Sequence, residues 1–235
     1  MSAPRKKRTA GLRFFRFHFL RRLWIFPLVL GWTVLSLYSV LSYKEGSLEA
    51  VAKSLAQIFE IYLIVPAVIL SIFIFTNSAE LEFCQCYGFS SVKLGLIQLF
   101  PTVFFSLLCI GLSAFLLPVE VLVLYPTFRW LLFLTSAVNL LTVVSAVVLS
   151  RVLVRNLFGT LGIAVVLYYG ITMSNYIRGP YAYYFNGSSL FRMILDGLPL
   201  EEFYVNRGIF ASFAILLSAI SMRILHSNRY TEKDI

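Results

Sequence analysis

Few side chains in this sequence could do chemistry, and their spacing excludes more reactions than it invites. Glu60 stands inside an apolar run, about a turn in from the predicted outer face, where an ionised carboxylate is costly and therefore a functional candidate. The competing reading is a carboxylate that snorkels to the interface. Asn139 sits in the middle of another apolar run, where its amide can bond across helices for about 1 kcal/mol, as in ordinary bundles. Hydrolysis by a bound metal would need His and carboxylate ligands, but His18 and His226 both fall at the inner edge of apolar segments. Cys84 and Cys86 form a CxC pair without a third or fourth soft ligand nearby, and Cys109 lies inside an apolar run. Neither a zinc spacing nor a disulfide framework results. A GxxxxGK[ST] loop, whose backbone N–H groups would cradle nucleotide phosphates, does not occur, so the chain is expected to hydrolyse no ATP unaided and to bind no cofactor of its own.

The elements that must position these residues follow from composition. Of 235 residues, 59% are hydrophobic and 13% charged, which is a membrane composition. Apolar runs of about 20 residues, enough to cross some 30 Å of hydrocarbon as helix, predict an all-α polytopic membrane protein forming one domain over residues 1–235. Six spans are predicted at 23–43, 56–75, 94–117, 129–150, 157–174 and 209–225. Pro27, Pro66 and Pro101 can kink the first three. Residues 1–22 are basic and carry Phe14, Phe15, Phe17 and Phe19. They either lie along the inner membrane surface or form a basic tail leading into an early first span.

Lys and Arg set the orientation. Eight of them precede the first span, and Lys93, Arg151, Arg155, Arg223, Arg229 and Lys233 fall on the same side. Lys44, Lys53, Arg129, Arg178, Arg192 and Arg207 fall on the other. Both termini are therefore expected in the cytoplasm. The net charge of +9 belongs to this arrangement and not to nucleic-acid binding, because the basic residues cluster at the ends of apolar runs. Arg129 reads as an interface anchor. Residues 175–208 form one long external segment rich in Tyr and Phe, with Gly and Pro breaks, which predicts short helices lying in or dipping into the outer headgroup layer. Within it, Asn186-Gly187-Ser188 has the form of a glycosylation acceptor, relevant only in a eukaryotic secretory route.

The polar stretch 77–93, NSAELEFCQCYGFSSVK, separates the second and third predicted spans. Asn77 and Glu80 have the spacing of a capping box, Glu80 and Glu82 fall in the first turn where the helix dipole favours carboxylates, and Gly88 can end the helix. The stretch reads as a short cytoplasmic helix, or as an ordinary polar loop.

With these features the chain resembles the membrane (permease) subunits of type-2 ATP-binding-cassette exporters over nearly its whole length. The match is carried by the basic start, six spans, Ala79-Glu80-Leu81-Glu82 followed by Tyr87-Gly88-Phe89-Ser90-Ser91-Val92-Lys93-Leu94, and the segment between the last two spans. Cys84-Gln85-Cys86 and Phe89 depart from the commoner form, which often has a Pro and an Arg near the turn. The resemblance implies that Asn77, Glu80, Leu81, Glu82, Phe83, Tyr87 and Gly88 form a coupling helix docking on a separate ATPase subunit, which binds ATP and Mg. It further implies a second permease subunit, identical or different, a multi-pass place in the cell membrane, as in a bacterial inner membrane, and a pathway commonly lined by spans two and five. Glu60 and Asn139 remain the intramembrane polar candidates. Two other readings stay open: a membrane assembly or interaction protein without a transport cycle, and an ion-coupled carrier with Glu60 as its proton site. Glu201-Glu202 with Arg207 also resembles the paired-glutamate motif of an intramembrane protease family, but the Arg is one residue too far along and histidines within the spans are absent.

Overall fold

The computed structural model describes residues 20, 22–41, 47–74, 91–117, 127–154, 156–174 and 181–226. Its described residues are mostly helical, with α1 (Ile25–Leu41), α2 (Leu48–Gln57), a π-helical turn (Ile58–Tyr62), α3 (Val65–Ile74), α4 (Ser91–Leu116), α5 (Phe128–Val154), α6 (Leu157–Met173), a 3-10 turn (Ala182–Phe185), α7 (Ser189–Asp196) and α8 (Leu200–His226). Among the described residues, four helical stretches are long and apolar enough to cross a membrane: Glu49–Phe73, Leu99–Leu116, Phe128–Val154 and Leu200–Ile224. Ile25–Ser39 and Leu157–Ile171 are shorter apolar helices. Leu35, Phe115, Phe158, Val166 and Ile215 stand exposed on the surface, a distribution suited to lipid and costly in water.

Helix α5 is the hub. It buries residues on nearly every side, from Phe128 through Leu140 to Val152, and α3, α4, α6 and α8 all pack on it. Arg129 at its start donates to the carbonyl of Leu117 at the end of α4 (3.0 Å), tying two antiparallel helices at their junction. Against α8 the register runs parallel. Thr142 donates to the Phe210 carbonyl (3.0 Å), and the hydroxyls of Ser145 and Ser218 meet at 2.8 Å. Small hydroxyl residues let two helices approach closely and bond where no water competes.

The second apolar stretch departs from a straight span, and Pro66 explains why. A proline lacks the N–H that would bond the carbonyl four residues back, and its ring crowds that carbonyl. The helix accordingly widens into the π-turn at 58–62, passes through Leu63 and Ile64, and resumes as α3. The released Tyr62 carbonyl accepts instead from the Trp32 indole N–H of α1 (2.8 Å).

Two helices begin before the spans predicted on them. The stretch expected to start at residue 56 begins at Leu48, where Ser47 caps the helix by accepting from the Ala50 N–H and Glu49 pairs with Lys53 at 2.6 Å. The last span, expected from residue 209, begins at Leu200. Gly197 takes the left-handed conformation (φ 65°) that stops α7, and Glu201 and Glu202 then favour the first turn of α8. Arg207, expected in an external segment, is therefore inside a membrane-length helix.

Candidate functional site

The π-turn aims Glu60 inward, with no exposed surface. Its carboxylate does the work of a helix cap for a segment 130 residues away. Oε1 accepts from the Leu190 backbone N–H (2.6 Å) and the Thr135 hydroxyl (2.9 Å), and Oε2 accepts from the Phe191 N–H (3.2 Å). Leu190 and Phe191 are the second and third residues of α7, whose amides point along the helix axis and carry its positive end. A negative charge at that point is stabilised by both hydrogen bonds and dipole.

Arg207 answers Glu60 across the Thr135 hydroxyl. Its guanidinium donates to Thr135 Oγ1 (3.0 Å), to Asn139 Oδ1 (2.8 Å) and to Asn206 Oδ1, and reaches the carbonyls of Asn186 (3.2 Å) and Gly187 (3.3 Å). Asn139 completes the ring by donating to the carbonyls of Glu60 (3.0 Å) and Gly187 (2.8 Å), while Ser136 donates to the Phe59 carbonyl. A planar five-donor fork can satisfy several acceptors at once, which is what a buried cation requires. The charges of Glu60 and Arg207 sit at 0% and 2% exposure, a desolvation that only such complete partnering offsets.

The cluster holds down the segment between α6 and α8. Asn206 donates to the carbonyls of Tyr183 (2.7 Å) and Asn186 (3.1 Å), and the Ser174 hydroxyl at the end of α6 meets Asn186 Oδ1 at 2.9 Å. Tyr183 donates to the Ser189 carbonyl (3.3 Å), and burial pushes its phenol well above the usual range, so it stays protonated.

Beside the cluster runs an apolar furrow of about 320 Å³, walled by the π-turn and α3 on one side and α6 on the other, with Trp32 at one edge. Ile61 and Tyr62, the residues directly after Glu60, face it, as do Tyr168, Tyr169 and Ile171.

Of the sequence-predicted site residues, Glu60 and Asn139 come together in this cluster. The snorkelling alternative for Glu60 is overturned by its complete burial. Asn77, Glu80, Leu81, Glu82, Phe83, Tyr87 and Gly88 lie outside the described residues. Sequence reasoning missed Arg207, Asn206, Asn186 and Thr135. Gly197, Pro199 and the two glutamates after it were an available helix-start signal that would have carried Arg207 into a span. Among the described residues, no three His, Cys, Asp or Glu side chains gather as a metal site. The chain matches no known family model, no curated protein and no solved structure.

Proposed function

We propose that this chain is the permease subunit of an ATP-binding-cassette exporter. In this reading it crosses the cell membrane six times with both termini in the cytoplasm, pairs with a second permease subunit, and moves its cargo with ATP hydrolysed on a separate ATPase. The four long apolar helices and the two shorter ones supply the six crossings. The observation that carries the reading is the furrow, because it lies between the second and fifth of them, where the resemblance puts the pathway. Its wall is apolar and aromatic, suited to a cargo with little charge. The stretch 77–88 would be the contact for the ATPase, its acidic first turn set against the partner's docking groove.

The test is co-purification with candidate ATP-binding-cassette ATPase subunits from the same cells. Replacing Glu80 and Glu82 together with Lys should abolish or sharply weaken the complex while leaving the permease folded. Undiminished co-purification would remove the stretch 77–88 as the ATPase contact, and failure of the unaltered chain to bind any ATPase would favour an assembly or interaction protein. One observation favours the ion-coupled carrier as second reading, namely a buried Glu60 with Arg207 near it. Against it, both carboxylate oxygens are already taken by α7 amides and Thr135, which describes a fixed cap better than an exchanging proton site. Uptake into vesicles driven by a proton gradient without ATP would reverse that judgement.

A further inference from the structure

The segment 183–191 is gripped by its backbone. Glu60, Asn139, Asn206 and Arg207 bond the amides of Leu190 and Phe191 and the carbonyls of Tyr183, Asn186 and Gly187. The hydroxyls of Ser188 and Ser189 are both fully buried without a partner, and that of Ser188 is out of place in this arrangement. Ser188 is the N-cap residue of α7 and is of the type that normally accepts from the second and third helical amides, yet its Oγ is fully buried and without a partner. Glu60 occupies those amides in its stead. Helix α7 thus has two acceptors for one N-terminus, one from a distant span and one its own.

We infer that residues 183–197 form a latched strap with two states: docked, with Glu60 capping α7, and released, with Ser188 capping it. Release would otherwise strand the α7 amides, and the spare hydroxyl removes that cost. The strap and the furrow share walls at two points, which couples the states to what the furrow holds. The π-turn turns Glu60 to the strap and Ile61 and Tyr62 to the furrow. Gly187 lies so close to the furrow residue Ile171 that a Cβ on it would stand 2.6 Å from Ile171 Cγ2. A furrow occupant that spreads these walls favours release, and a docked strap resists the spreading to the same extent. The inference rests on the strap geometry and not on the exporter reading.

The test uses the full chain in detergent, where both faces are accessible, with Cys84, Cys86 and Cys109 replaced by Ser and a single reporter, Ser189→Cys, at a fully buried strap position. Maleimide modification reads the released fraction. Glu60→Gln, which turns an amide toward the Phe191 N–H, should speed labelling at least roughly tenfold, and Gly187→Ala should speed it as a wedge against Ile171. Ser188→Ala should slow it, because it removes the alternative cap. A second reporter, Ser221→Cys on α8, should stay slow throughout. Labelling unchanged by Glu60→Gln, or faster in Ser188→Ala as an ordinary cap loss would give, overturns the two-state strap. So does fast labelling of both reporters in Glu60→Gln, which would make the cluster a support of the whole bundle.

Discussion

Arg207 joins Thr135, Asn139, Asn206 and two backbone carbonyls, and its replacement discriminates between kinds of loss. Arg207→Leu leaves the Glu60 charge buried without its counter-charge, a situation that costs about 3–5 kcal/mol. The variant should unfold at clearly lower temperature in detergent. Glu60→Leu combined with Arg207→Leu should recover a large part of that loss, because the desolvation of both charges disappears together. Arg207→Lys should not rescue, since a point charge with three donors cannot reach Thr135, Asn139, Asn206 and two carbonyls at once. Thermal unfolding of the three variants checks this, and an Arg207→Leu protein as stable as the parent would contradict it. Glu60 was legible in the sequence because an acid in an apolar run stands out. Its partner was not, since 147 positions separate them and Arg207 itself shortened the apolar run that would have revealed its helix.

At the level of elements, Pro66 sets the shape of the site. By withholding an N–H it widens the turn that aims Glu60 and frees the Tyr62 carbonyl for Trp32. Pro66→Ala restores an amide that competes for that carbonyl. In a Trp24→Phe, Trp130→Phe background, the Trp32 indole proton should then move upfield and exchange faster by NMR, and an unchanged resonance would show that the proline does not govern the bond. That a proline at 66 disturbs its span was readable from the sequence. The form of the disturbance was not, because a π-turn is stabilised by Ser136 and Asn139 from another helix. The helix starts at Leu48 and Leu200 were hidden in a similar way. Hydropathy alone starts the last helix at Ile209, since Glu201, Glu202, Asn206 and Arg207 interrupt the apolar run, whereas Asn206 and Arg207 face the cluster and the two glutamates lie in the helix's first turn.

For the whole molecule, the helical class and the approximate places of the apolar helices followed from run lengths that only a bilayer explains. The parallel seam of α5 with α8 did not, because it depends on isolated hydroxyls and small side chains whose partners lie some seventy residues away. In the proposed exporter the bundle is worked from the cytoplasm through the stretch between its second and third predicted spans. Cys84 and Cys86 lie within that stretch and report its side directly. With Cys109 replaced by Ser, intact cells or right-side-out vesicles treated with a membrane-impermeant maleimide should leave both cysteines unmodified until the membrane is permeabilised, after which both should react. Modification of Cys84 and Cys86 from the outside of sealed membranes would put the stretch out of reach of any cytoplasmic ATPase and contradict the account.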